Sequence, residues 1–420
     1  MLLTEDQKAL TLEEALALEA FCSFVGLSAD LKHLLRPIPV TLREMLFRKE
    51  EFQPQEVDQW GNFEYAYSQN AKKGLLWSAE VDRFAKEERV RLTNEGVKLE
   101  PLWPKGFRFA LVLTHDVDHL DIRETTPLLF RSLKKAALAE DLDSTSRLKL
   151  IAKSAAKGLL RKPKRVHDMT GTLEASVRIE NKFGVKSSYF FTVFPLTKVS
   201  RYDCLYQTKD RVFFEGKSAK LSDVICKLKD AGFDIGLHGS YFSAVEPHLL
   251  KEQKERLEHE LKMPIVTARQ HWLHFKMPLT PSLIADAGIT ADTTLGYNRN
   301  VGYRAGTGYP FFFYDYERQK KISLLEVPMI LQDGALIGSN ALEYSPKGSL
   351  EIVKRFIDDA ESLEGCLTLL FHPDIFLKSG MEDLYENIIR YALQKGAWVT
   401  DLKSVSSHWE KRLKKLEGRH

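Results

Sequence analysis

The chain reads as an α/β protein, a (β/α) barrel of seven or eight parallel strands preceded by a mostly helical N-terminal region. Two observations predict this. From Phe109 onward, short β-branched apolar runs alternate with amphipathic helical stretches, the order that puts parallel strands inside and helices outside. Several of those runs end in carboxylates or imidazoles, as expected where loops leave the C-terminal rim of a barrel.

The predicted strands are Phe109–Thr114, Ser188–Val193, Asp234–Leu237, Thr267–His271, Thr290–Thr293, Leu324–Met329, Leu367–Phe371 and Trp398–Thr400. Helical patterns lie between them at Thr172–Lys182, Ser222–Ala231, Pro247–Leu261, Pro281–Ala287, Leu350–Leu363 and Met381–Lys395. Up to eight strands over roughly 310 residues suit a barrel better than an open sheet. Seven strands with an irregular closure would give the same pattern.

Residues 1–105 read differently, as an accessory region before a main domain at 106–420. Thr11 N-caps the helical stretch Thr11–Leu27, and Glu14 completes a capping box. Trp60-Gly61-Asn62 reads as a turn. No catalytic cluster is visible there, so the region is expected to pack on the main domain or carry partner contacts.

At 420 residues, 44% hydrophobic and 28% charged, with a net charge of +3, the composition is that of a soluble globular protein and excludes wholesale nucleic-acid binding. The four cysteines, Cys22, Cys204, Cys226 and Cys366, form no C-x-x-C pair. They read as reduced packing residues, not a disulfide frame or a zinc knuckle. The N-terminus lacks a secretory pattern, and no apolar run reaches the ~20 residues of a membrane span, so a cytoplasmic location is expected. One insertion, 131–165, carries eleven Lys/Arg against three Asp/Glu, with apolar residues at helical spacing. It reads either as a solvated helical excursion over the barrel mouth or as a basic surface for anionic lipid or a phosphorylated substrate.

The chemistry concentrates at strand ends. Phe107–His119, FRFALVLTHDVDH, delivers Asp116 and Asp118 on one side of the pleat. Two close carboxylates are costly unless a cation lies between them or one holds a proton, although Asp after a strand also serves as a turn or cap residue. Other ends offer His238; Arg269, His271 and His274; Asp292 and then Arg304; Glu326 and Asp333; and His372 with Asp374. Singly each has a structural reading, and Glu326 reads best as a salt-bridge partner. Jointly, Asp116, Asp118, His238, His271 and His372 suit a hydrolytic divalent metal, which needs a carboxylate, two imidazoles and open positions.

The ordered set THDVD, GLHGSY, RQHWLHF, GYRAGT and LLFHPD, within 107–405, resembles the polysaccharide deacetylase (NodB-homology, carbohydrate esterase family 4) superfamily. It is most similar to the branch whose first motif reads HDVD where others read TFDDG. The resemblance implies a distorted (β/α)7–8 barrel and metal-dependent hydrolysis of an N-acyl group, most simply acetyl, on a sugar. It implies Asp116 as general base, Asp118 and His238 as metal ligands, Arg304 as the residue orienting the base, and His372 as general acid.

The second motif departs from the family pattern. Gly-Ser-Tyr-Phe-Ser follows His238, so neither Phe242 nor Ser243 supplies the second imidazole. His271, at the tip of the neighbouring strand, is the candidate third ligand. His274 is next, though alternation puts it on the opposite face. Tyr241, His274, Tyr303 and Tyr309 are candidate substrate contacts, the last two in an aromatic loop that reads equally as core. Zinc is the expected metal, with iron, cobalt and nickel open. The implied partner is a carbohydrate, or a lipid- or nucleotide-linked sugar of surface-polysaccharide assembly, with peripheral membrane contact through 131–165. Two rivals stand: a catalytically decayed barrel that binds carbohydrate or acts as a scaffold, and a hydrolase of another C–N bond.

Overall fold

The computed structural model describes residues 10–53, 56–120, 125–160, 172–339 and 341–418. Four helices open the chain: α1 (Leu12–Val25), α2 (Val40–Leu46), α3 (Gln69–Lys72) and α4 (Glu80–Asn94). The capping box on α1 is present. Glu14 N–H donates to Thr11 Oγ1 at 3.2 Å, and Thr11 N–H donates to Glu14 Oε2 at 3.0 Å. Gly26, at φ 82°, ends the helix in the left-handed conformation that glycine adopts without strain.

Strand β1 (Phe109–Asp116) is buried along its whole length. A parallel strand covered on both faces reads as one continuous apolar run for that reason. The basic excursion forms α5 (Thr125–Leu138) and α6 (Ser144–Leu160); its last residues, 161–165, lie outside the described ones. Next come α7 (Glu174–Phe183), β2 (Ser188–Phe191), an antiparallel hairpin β3 (Arg211–Phe214) and β4 (Lys217–Lys220), α8 (Leu221–Asp230), β5 (Asp234–Gly239), α9 (Leu249–Leu261), β6 (Thr267–Gln270) and α10 (Leu279–Asp286). The chain continues through β7 (Ala291–Asp292), β8 (Phe311–Asp315), β9 (Lys320–Glu326), β10 (Leu331–Gln332), α11 (Asp333–Ile337), α12 (Pro346–Leu363), β11 (Cys366–Leu370), α13 (Met381–Gln394), β12 (Ala397–Thr400) and α14 (Leu402–Leu416).

All eight expected strands are found where the sequence puts them. The sheet runs β10-β11-β1-β2-β5-β6-β7-β9-β8, parallel except for β8 against β9, with β12 also on β1. The ends of this path belong to one piece of chain. Val327 N–H donates to Asp292 O at 2.9 Å, Met329 N–H to Leu295 O at 3.1 Å, and Ile330 N–H to Thr368 O at 3.2 Å. Residues 320–332 thus pair with β7 at one end and β11 at the other, joining the path into a ring through an irregular closing segment around Pro328. The β3–β4 hairpin, the two-residue β10, the C-terminal helix α14 and the strand β8, whose aromatic run reads as a loop, are among the elements that the sequence pattern does not predict.

The N-terminal helices share the barrel's hydrophobic core. Phe24 of α1 stacks on Tyr309 at 5.1 Å, and Tyr309 stacks on Trp409 of α14 at 5.8 Å. No helix among the described residues is long and apolar enough to cross a membrane.

Candidate active site

At the C-terminal ends of β1, β5, β6 and β11, three imidazoles converge on one carboxylate. His238 Nε2 lies 3.1 Å from Asp118 Oδ1, while His271 Nε2 and His372 Nε2 lie 3.5 and 3.6 Å from Oδ2. His238 ends β5, and its Nδ1–H donates to Arg269 O at 3.0 Å. A carbonyl only accepts, so in the neutral ring Nε2 carries a lone pair aimed at a carboxylate. That Nε2 is buried and makes no hydrogen bond. Protonated, that nitrogen faces the Asp118 carboxylate as an imidazolium; deprotonated, its lone pair is available to a divalent ion beside the same carboxylate. Burial alone would raise the Asp118 carboxyl, but His271 and His238 outweigh it and hold it well below the ordinary range. Burial draws the His238 imidazole down, and Asp116 and Asp118 more than reverse this.

Asp116 lies buried beside this group. Its Oδ1 is 3.5 Å from Arg269 Nη1, and both atoms lack other partners. Arg269, in the middle of β6, is held by Nε–H to Thr293 O at 2.9 Å and Nη2–H to Thr293 Oγ1 at 3.2 Å. Behind it sit Asp292 and Glu326. Burial raises the Asp292 carboxyl to about 6, and burial with the Asp292 charge raises Glu326 well above its usual range. Burial and the neighbouring carboxylate favour the neutral form of Glu326, whose Oε1 accepts Leu295 N–H at 2.9 Å. Glu326 is therefore a buried neighbour of the arginine in the site, more than a salt-bridge partner.

His372 follows β11. Its Nδ1–H donates to Asp333 Oδ1 at 2.7 Å, and its backbone N–H donates to Asp333 Oδ2 at 2.8 Å. Burial lowers its pKa, but the Asp333 charge and hydrogen bond dominate and push it up to about 10. An imidazolium with Nε2 facing the cavity can give a proton there.

Asp116, Asp118, His271 and His372 line a cavity of about 320 Å³ whose rim carries Trp60 and Trp272. The two indoles stack at 5.1 Å with 15° between planes. Trp272 sits at φ 59°, a strained conformation for an aromatic residue. Its carbonyl is clamped by Asn62 Nδ2–H at 2.9 Å and Asn298 Nδ2–H at 2.8 Å.

Several expected placements need correction. Arg304 does not face Asp116. Its guanidinium is buried and binds both oxygens of Glu51 at 2.9 and 2.7 Å, and Gly296 O at 2.9 Å. Arg269 takes the place beside Asp116, because it lies on β6 of the sheet, whereas Arg304 is held by Glu51 of the N-terminal region. Tyr303 and Tyr309 are core residues: Tyr309 O–H donates to Leu363 O at 2.9 Å, and Tyr303 packs on Phe356. His274 turns away from Asp118, with Nδ1 on Tyr241 O at 2.8 Å and its ring stacked on Tyr241 at 4.3 Å. This agrees with the opposite face expected for His274, which follows the tight turn that begins at His271. Tyr241 itself is partly buried, and its O–H holds Trp60 O at 2.9 Å, so it supports the rim. His115, from the first motif, is buried between Phe371 O and Glu180.

No protein-family model matches the sequence, and no curated protein does. Among solved structures, a chain described as a candidate polysaccharide deacetylase from Mycobacterium smegmatis is similar at 17% identity and TM-score 0.47, over 74% of this chain and 93% of that one. A CE4 family pseudoenzyme from Bacillus anthracis is similar at 11% identity and TM-score 0.31, over 74% and 70%. A GH57-type branching enzyme from the hyperthermophilic archaeon Pyrococcus horikoshii is similar at 10% identity and TM-score 0.34, over 72% and 70%.

Proposed function

We propose that this protein is a metal-dependent deacetylase of the NodB type, hydrolysing an N-acyl group, most simply acetyl, on a sugar. The observation that carries this reading is the gathering of His238, His271 and His372 around Asp118, with Asp116 in the same cavity. Asp118, His238 and His271 would hold a divalent ion, zinc by preference, with iron, cobalt or nickel as alternatives. When bound, such an ion supplies Lewis acidity at the acyl oxygen and makes water more acidic.

The remaining chemistry belongs to the protein. Asp116 accepts a proton from the attacking water, and Arg269, fixed by Thr293, favours its ionised form. Water oxygen bonds to the acyl carbon, and the C–N bond breaks. His372, kept charged by Asp333, donates a proton to the departing amine, which cannot leave as an anion. The Trp60–Trp272 edge offers a flat apolar face to a sugar ring. Four unpaired cysteines fit a reducing, cytoplasmic setting. There the substrate would be a nucleotide- or lipid-linked sugar, with the basic helices α5 and α6 as a route to anionic lipid. Co-sedimentation with anionic vesicles tests that last point, which fails if neutralising Lys149 and Lys153 changes nothing.

The central test pairs metal analysis with acetate release from N-acetylated oligosaccharides. One metal per chain, lost in His238→Ala and His271→Ala, and acetate release abolished in Asp116→Asn support the enzyme. A metal-free, folded protein that still binds saccharide supports a carbohydrate-binding protein on a decayed barrel.

A further inference from the structure

Cys204 lies in the long connection between β2 and β3, far in sequence from every motif above. Its Sγ is buried and lies 3.9 Å from Asp118 Oδ1. One donor atom each from Cys204, Asp118 and His271 lie within 4.8 Å of one another. The chain on either side of Cys204 is pinned. Asp203 accepts Ser200 N–H at 2.7 Å and Tyr241 N–H at 2.8 Å. The carbonyls of Asp203 and Leu205 accept from Lys135 at 2.8 Å and Arg131 at 3.2 Å, both on α5. Tyr206 O–H accepts Thr192 N–H at 2.9 Å. Two cations of the basic excursion thus fix the cysteine against the site.

A second observation at the same carboxylate points to a ligand: His238 Nε2, 3.1 Å from Asp118 Oδ1, is buried and makes no hydrogen bond.

We propose that Cys204 is a metal ligand of this centre, a thiolate donor beside Asp118 and His271. The inference rests on the metal reading above. Binding is a simple exchange: the S–H proton passes to solvent as the sulfur–metal bond forms, with no change of oxidation state. A carboxylate and a thiolate together balance both charges of a divalent ion in a desolvated pocket. Thiolate also biases the site toward softer ions such as zinc and cadmium over magnesium or manganese.

Cobalt(II) binding to the full-length, chelator-stripped protein tests this. Cobalt alone should bind at one per chain and give both visible d–d bands and a near-ultraviolet thiolate-to-cobalt charge-transfer band. Cys204→Ser and Cys204→Ala should keep the d–d bands, lose the charge-transfer band, and release zinc to a competing chelator at roughly tenfold lower concentration or less. Cys226→Ser should behave as the parent. Far-ultraviolet circular dichroism confirms that the variants are folded. Stoichiometric cobalt without the charge-transfer band in the parent, or a band that survives in a folded Cys204 variant, overturns the assignment and leaves the deacetylase reading standing. Failure of the parent to bind cobalt overturns both.

Discussion

Asp82 offers a measurement free of assumptions about catalysis. It lies on α4, fully buried where the N-terminal helices meet the barrel, and accepts hydrogen bonds from Thr307 Oγ1–H and from Gly308 N–H at 3.2 Å. Burial raises its pKa to about 7 against those two bonds. The unfolded chain releases this proton near pH 4. Between roughly pH 4 and 7 the folded protein therefore holds a proton that the unfolded one has lost, and stability falls as pH rises through that window. Integrated over about three pH units, the cost is roughly 4 kcal/mol, fully expressed above pH 8. Asp82→Asn keeps one acceptor for Gly308 and gains a donor toward Thr307, but never ionises. Urea denaturation of both proteins at pH 5 and 8.5 should show a small difference at the lower pH and an advantage for the variant of up to about 4 kcal/mol at the higher. For 420 residues, this amounts to about 5 °C in Tm. A difference independent of pH would refute the buried, proton-holding role of Asp82.

Other outcomes follow from the same geometry. Asp333→Asn removes the charge that keeps His372 protonated up to about pH 10; the alkaline limb of kcat/KM should move toward pH 7, costing about tenfold at pH 8 and little at pH 6, as a pH–rate profile will show. Arg304→Met leaves buried Glu51 with Arg48 as its remaining cation, so chemical denaturation should report a loss of roughly 1.5–3 kcal/mol with the shape of the pH–rate profile unchanged. Trp272→Ala should raise KM for an oligosaccharide about three- to tenfold, the value of one aromatic contact, with kcat nearly constant in steady-state kinetics.

Much of the barrel was legible because each buried parallel strand is a short β-branched run, and period and length identify such runs locally. β8 was not, because Phe311–Asp315 pairs antiparallel with β9, and aromatic residues beside glycines read equally as a loop. The residues around Asp118 were legible because carboxylates and imidazoles at strand tips are rare and ordered. The arginine beside the base was not. Arg269 lies within a buried strand and Arg304 in a loop, and only the tertiary pairing of Arg304 with Glu51 shows which of them faces Asp116. Trp60, Trp272 and Cys204 reach the mouth through the N-terminal turn, a strained φ and a long loop. Nothing in their local spacing records that meeting.

The closing segment has a mechanical consequence. Glu326, behind the arginine that faces Asp116, and Asp333, which grips His372, stand at opposite ends of one short stretch of backbone. A slip or twist of that stretch would disturb the proton acceptor and the proton donor in the same motion. Substitutions around Pro328 should therefore damage both limbs of catalysis together, and repair of one limb should bring back the other.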